Sequence, residues 1–195
     1  GNYLCVSRCA ESSILLQIQV PLAEDVKKIQ PSQVWISAFN PLWETALVKT
    51  FQEKQITTFS LDSIPRSTRA QAMDILSSQA TVTGYKAVLD AALISPTFFP
   101  MFMTAAGTIR PANVLILGAG VAGLQAIATA RKLGAQVEAF DVRTAVREEV
   151  KSLGARFVEV EGAVEDKAAG GYAVEQTEEY KQKQQQAIND HAAKA

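Results

Sequence analysis

The sequence predicts an α/β protein of two parallel-sheet units joined by a long helix. Three observations predict it. Apolar stretches of strand length alternate with helical periodicity over residues 14–59, and again over 107–160. A glycine-rich hexapeptide, Gly118-Ala119-Gly120-Val121-Ala122-Gly123, stands between an apolar run and a helix-like stretch. Between the two alternating regions, helical periodicity runs on over residues 70–93. Strands alternating with helices put parallel strands in one sheet, with crossover helices on its faces.

Taken in order, residues 14–20 read as a strand, and Pro21 leads into a short helix that ends at Ile29. Residues 33–39 read as a second strand. Asn40-Pro41 marks a turn, and 42–53 a helix with Leu42, Ala46, Leu47 and Phe51 on one face. Residues 56–59 form a third strand. A polar stretch follows from Ser63, where Pro65 biases Ile64 away from helix. Over 70–93, Met73, Leu76, Ala80, Tyr85, Val88 and Leu89 are spaced for burial, and Pro96 and Pro100 end the helix. Residues 107–111 read as a hinge.

The second unit opens with the strand 114–117. The glycine turn, a helix over 124–133 and a strand over 137–140 follow, closing on Asp141. In a dinucleotide site of the Rossmann type each glycine has a physical role. The first permits a tight turn, the second lets backbone approach a pyrophosphate, and the third lets helix and strand pack closely. The helix N-terminus offers N–H groups and partial positive charge to the phosphates. Asp141 stands 18 residues after Gly123, close to where an acid that takes ribose hydroxyls belongs. The alternative at this level is a glycine turn in a parallel sheet that binds nothing. Residues 144–153 then read as a helix stopped by Gly154, 157–160 as a third strand, 161–171 as a polar loop and 174–193 as a charged helix with a weak apolar face at Tyr180, Ala187 and Ile188. A doubly wound domain has two mononucleotide halves. One is read here, so the second unit is expected to be truncated and the chain a fragment.

Composition narrows the function classes. The 195 residues are 48% hydrophobic and 20% charged, which suits a globular core, and the net charge of −1 offers no nucleic-acid surface. Cys5 and Cys9 are read as reduced thiols. His191 is the one histidine, which argues against a His/Cys zinc centre and a Ser-His triad. The most apolar stretch, 87–107, is interrupted by Asp90, Pro96 and Pro100, so no transmembrane segment is expected. No signal-peptide pattern is read at the N-terminus.

A second motif lies in the polar stretch, Pro65-Arg66-Ser67-Thr68-Arg69-Ala70-Gln71-Ala72-Met73-Asp74-Ile75-Leu76-Ser77-Ser78. On its residues alone it fits equally a capped helix start with solvated arginines. With Gly84-Tyr85-Lys86-Ala87-Val88, Met103-Thr104-Ala105-Ala106-Gly107, the glycine turn and its helix, Asp141-Val142-Arg143 and Gly170-Gly171-Tyr172-Ala173, it resembles the NAD(H)-binding component of proton-translocating nicotinamide nucleotide transhydrogenases, in the alanine dehydrogenase/transhydrogenase family. The resemblance runs from about Ile14 to the C-terminus. It departs in the first ten or so residues, in the family's absent C-terminal half, and at Ser67-Thr68, where the family has an apolar residue followed by serine.

The resemblance implies a division into a first α/β unit over 1–78, with a nicotinamide-end loop at 65–78, a linking helix and hinge over 79–106, and an NAD(H)-binding unit over 107–195. It implies that Arg66, Arg69, Gln71, Asp74 and Ser77 surround the nicotinamide end, with Arg66, Gln71 and Asp74 closest to the chemistry. It places Gly118, Ala119, Gly120, Val121, Gly123, Asp141, Val142 and Arg143 at the adenosine and pyrophosphate end, and Gly171-Tyr172 on a loop that closes over the nucleotide. Asp141 favours NAD(H). Arg143 argues mildly for a 2′-phosphate, since arginines near this position accept one. Implied partners are an NADP(H)-binding domain, a membrane proton-channel domain and a second copy of the full-length component, on the cytoplasmic or matrix face of a membrane. No metal is implied. Direct hydride transfer between nicotinamides needs no proton shuttle on the protein. An alanine dehydrogenase-like activity stays open, though the expected strand carries Gln17 and Gln19 where that enzyme needs a lysine, and His191 is the sole histidine. A non-catalytic nucleotide-binding fragment stays open as well.

Overall fold

A computed structural model describes residues 12–65, 67–162 and 176–195. The chain divides into two compact α/β units between Leu76 and Ser77.

In the first unit, β1 (Ile14–Leu16), β2 (Val34–Ser37) and β3 (Thr57–Ser60) form a parallel sheet in that order, joined by α1 (Ala23–Lys28) and α2 (Thr45–Glu53). Leu15, Trp35 and Phe51 are buried with Val26, Ile29 and Phe39, and the Phe39 and Phe51 rings meet edge to face at 5.6 Å. The Trp35 indole N–H donates to Ser37 Oγ at 2.9 Å, so the fully buried hydroxyl has a partner. Lys54 donates its ammonium to the carbonyls of Val26, Lys27 and Ile29 at 2.9–3.4 Å. It thereby caps the C-terminal end of α1, where carbonyls lack intrahelical partners.

In this unit the two largest boundary differences from the sequence reading are at β1 and α2. β1 stops at Leu16, although Gln17 N–H still donates to the Ile36 carbonyl. Among the described residues β1 has one neighbouring strand, and Ile18 and Val20 stay exposed. α2 begins at Thr45 because Asn40 takes a left-handed φ of 44° and its carbonyl accepts from Trp43 and Glu44 N–H, forming a separate turn. Leu42 and Ala46 are consequently exposed, and Leu47 and Phe51 carry the packing.

α3 (Ile75–Ile94) opens at Asp74, whose Oδ1 accepts the Leu76 N–H at 2.9 Å. Its buried residues are Gly84 and Val88; of the expected stripe Val88 is buried and Ala80 and Leu89 are half-buried, whereas Met73, Leu76 and Tyr85 are exposed. Apolar residues are spread around the whole helix, so periodicity alone does not select a face. The hinge expected at 107–111 is instead part of a hairpin, β4 (Phe102–Thr104) against antiparallel β5 (Gly107–Ile109). Its turn is closed by Thr104 Oγ1, which donates to the Gly107 carbonyl.

The second unit continues with β6 (Asn113–Leu117), α4 (Val121–Lys132), β7 (Gln136–Phe140), α5 (Arg147–Ser152), β8 (Arg156–Phe157) and α6 (Glu178–Ala192). The sheet is parallel in the order β6-β7-β8, with Leu117 opposite Phe140. Alternate residues Val137 and Ala139 bury against Ile127 and Ala130 of α4 and Val150 of α5. Gly134 and Gly154 end α4 and α5 at φ of 94° and 78°, conformations that cost an L side chain energy. The expected helix over 144–153 is a 3₁₀ turn at Thr144–Val146 followed by α5. α6 is capped by Thr177 Oγ1, which accepts the Tyr180 N–H at 3.2 Å. At its other end His191 Nδ1 lies 2.5 Å from Glu138 Oε2, and Asn113 Nδ2 donates to the Lys194 carbonyl.

Candidate nucleotide site

β6 ends at Leu117, and Gly118 N–H extends the ladder by donating to the Phe140 carbonyl at 2.8 Å. Gly118 has φ of 94°, so the turn that follows needs a residue without Cβ. At Gly123 a Cβ would overlap the Gly118 carbonyl oxygen, so the first turn of α4 sits directly on the glycine turn. Gly120 is different. It is the N-cap of α4 in extended backbone at φ −79°, and a Cβ there would meet nothing within 4 Å. Neither dihedral nor packing among the described residues demands glycine at this position. It leaves backbone open at the helix end whose first N–H groups have no intrahelical acceptor.

Asp141 is brought under this turn by the β6–β7 register. Its side chain is 5% exposed. Oδ2 accepts from Ala119 N–H at 2.7 Å and from Arg143 Nη2 at 2.8 Å; Oδ1 accepts from Arg143 N–H at 2.8 Å and Arg143 Nε at 2.9 Å. Burial pushes the carboxyl up, but the Arg143 side chain and the two backbone N–H groups outweigh it. The net effect holds Asp141 below the usual carboxylate range. The same pair raises Arg143 further above its ordinary value. Four hydrogen bonds account for the acceptor sites of one carboxylate.

Beside Asp141 lies a small recess of about 100 Å³, lined by Asp141, Thr144, Arg147, Phe157, Glu159 and Tyr180 among others. Burial, and then the Asp141 charge, push the Tyr180 phenol up. Arg147 pairs with Glu159, and among the described residues its Nε is the buried side-chain nitrogen left without a hydrogen-bond partner. Sequence reasoning misses Arg147, Glu159 and Tyr180 as neighbours of Asp141. It puts Tyr180 on a weak apolar face, yet the side chain joins the recess and is 3% exposed. A Thr at the N-cap with an aromatic three residues on is the available signal.

The structure thus brings Gly118, Ala119, Gly120, Gly123, Asp141 and Arg143 together. Val121, 45% exposed, starts α4 beside Gly120, and Val142 lies between Asp141 and Arg143. Arg69, Gln71 and Asp74 belong to the first unit: Arg69 and Gln71 are exposed, and Gln71 opens a 3₁₀ turn that ends at Met73. Ser77 is half-buried and opens the second unit. Arg66, Gly171 and Tyr172 lie outside the described residues, as do Cys5 and Cys9. No group of His, Cys, Asp and Glu among the described residues is arranged to hold a metal ion. No helix among them is long and apolar enough to cross a membrane.

Comparison with known proteins agrees with this architecture. The family model described as "Alanine dehydrogenase/PNT, N-terminal domain" matches residues 6–83, and "Alanine dehydrogenase/PNT, C-terminal domain" matches residues 87–195. The chain is 43% identical over 186 residues to the first part of the NAD(P) transhydrogenase subunit alpha of Rhodospirillum rubrum, covering 92% of this chain and 48% of that protein. It is 42% identical over 189 residues to the protein of the same name from Rickettsia prowazekii, covering 89% and 49%. The solved transhydrogenase from Sinorhizobium meliloti superposes with a TM-score of 0.83 at 41% identity, over 97% of this chain and 50% of that one. An L-alanine dehydrogenase superposes with a TM-score of 0.63 at 18% identity, over 75% and 42%, which shows the shared fold. The chain spans about half the length of the curated relatives it matches. A parallel sheet opened by a glycine turn over a buried aspartate, preceded by a smaller α/β unit, and matched by both domain models, makes this chain a member of the alanine dehydrogenase/PNT family.

Proposed function

We propose that this chain binds NAD(H) as part of a transhydrogenase and presents it for hydride exchange with NADP(H) held on a partner domain. The single observation that carries the nucleotide reading is Gly120. The fold does not need glycine there, and its absent side chain clears the end of α4 for a ligand. The Gly118–Gly120 backbone and α4 N-terminus then hold the pyrophosphate. Asp141 takes the adenosine ribose hydroxyls and disfavours a 2′-phosphate, with Val121, Val142 and Arg143 around it. Identity of 41–43% over most of the chain to proteins named NAD(P) transhydrogenase or transhydrogenase supports the same reading.

The nicotinamide supplies the hydride chemistry when bound, and the protein's role is orientation and electrostatics. In this reading Arg66, Arg69, Asp74 and Ser77 hold the carboxamide end, Gln71 faces the partner nucleotide, and Gly171-Tyr172 closes over the site. The partners are an NADP(H)-binding domain, a membrane domain that couples the reaction to proton movement, and a second copy in the full-length component. The chain would sit peripherally on the membrane through these domains.

The test is an equilibrium titration of the folded chain with NADH and NADPH. Preferential binding of NADH supports the reading. Preference for NADPH overturns the role given to Asp141, and binding of neither overturns the assignment of a nucleotide site to these residues.

A further inference from the structure

The guanidinium of Arg143 is turned onto Asp141. Nε and Nη2 donate to the two carboxylate oxygens, a bidentate pair with the Arg143 side chain 28% and the Asp141 side chain 5% exposed. Arg143 backbone N–H donates to the same carboxylate. An arginine two residues beyond the strand-end acid is where a receptor for a 2′-phosphate would be sought. Here both of its side-chain bonds to Asp141 must break before it can turn to a ligand. The Ala119 N–H on Oδ2 fixes the carboxylate independently of Arg143 and keeps it under the glycine turn.

We propose that Asp141, besides the acceptor role given to it above, is the anchor that keeps Arg143 from serving as a 2′-phosphate receptor. The inference rests on the nucleotide reading above and extends it to the part Arg143 plays in discrimination. Two donors of the guanidinium, side by side on the carboxylate, occupy the positions that two vicinal ribose hydroxyls would use as donors. A ribose diol exchanges one pair of donors for another. A 2′-phosphate removes one of the two donors, leaving the 3′-hydroxyl, and adds a like charge, so it disfavours the exchange. Among the described residues, Arg147 also borders the recess, where it is paired with Glu159.

The experiment uses the whole chain and two fragments confined to the adenosine end, 5′-ADP and 2′,5′-ADP, by calorimetric titration. The wild type should prefer 5′-ADP. Asp141→Asn keeps an acceptor for Ala119 N–H but removes the charge that holds Arg143, and should tighten 2′,5′-ADP by about tenfold or more, the scale of one charge-assisted bond. In Asp141→Asn/Arg143→Met that gain should be lost. In Arg143→Met alone, 2′,5′-ADP should bind as weakly as to the wild type. Asp141→Ser serves the same purpose if the Asn variant does not fold. A gain that survives in the double variant overturns the proposal and assigns the phosphate contact to Arg147 or to the charge change itself. No gain in the folded Asp141 variants overturns it too, as does loss of wild-type 2′,5′-ADP binding in Arg143→Met. Wild-type protein that binds neither fragment overturns the nucleotide reading and this inference with it, a result distinct from the others.

Discussion

Gly84 of α3 and Ala122 of α4 meet backbone to backbone: a Cβ on Gly84 would fall on the Ala122 carbonyl oxygen and within 3.1 Å of its Cα. α3 thereby touches the turn of α4 that immediately follows Gly120. In an exposed helix, glycine to alanine stabilises by about 0.5–1 kcal/mol. Here the sign should reverse. Gly84→Ala is expected to lose about 1–3 kcal/mol through overpacking, read as a lowered midpoint in urea with unchanged slope. An unchanged or raised midpoint would mean that the two helices separate freely.

Gly120→Ala and Gly123→Ala should differ in kind. The first adds a methyl to open space and should leave the unfolding free energy within about 0.5 kcal/mol of wild type, while weakening NADH binding by obstructing the pyrophosphate. The second adds a methyl onto the Gly118 carbonyl and should destabilise the fold itself. Equal thermal loss in both, or intact NADH affinity in Gly120→Ala, would remove the distinction between them.

Glu138 ties β7 to β8 and α6 through Arg156 and His191. Burial raises its carboxyl, but the bonds and charges of Arg156 and His191 lower it more, and it rests below the ordinary 4.5. A lowered folded value means the stabilisation is complete above the unfolded value and fades as pH falls through the folded one. Glu138→Gln should therefore cost stability at pH 7, and the difference from wild type should close in acid well below 4.5. A difference that is constant with pH would show that packing, not charge, is what the substitution removes.

Gln71 stands exposed at the start of a 3₁₀ turn, where it can face a second molecule. Gln71→Asn should slow hydride transfer in a reconstituted complex more than it weakens NADH binding. An equal loss of both would make it a ground-state contact only.

The sequence carried the fold class because the local signals agreed with each other. Gly118 and Gly123 sit where a turn and a close approach need them, and Asp141 arrives beneath the turn because parallel register puts Phe140 beside Leu117. What stayed illegible depended on side-chain direction or on a missing pattern. That Arg143 folds back onto Asp141 is a matter of rotamer, and two residues of spacing do not reveal it. Tyr180 is buried by an element far along the chain from the strand end it joins. α3 has apolar residues on all sides, so the spacing of Met73, Leu76 and Tyr85 suggests burial while all three are exposed. The hairpin at β4 and β5 is hidden because Thr104, Ala105, Ala106 and Gly107 read as a linker.

α6 holds Tyr180 in the recess beside Asp141 and His191 on Glu138, with about 16 Å of helical rise between them. The protein contains one histidine. Its imidazole is thus a built-in spectroscopic reporter, free of overlap with any sibling, mounted on the far end of a stiff lever whose near end borders the candidate ribose contact. A ligand that moves α6 through Tyr180 carries His191 with it, and the imidazole proton resonances register that movement without a label being attached.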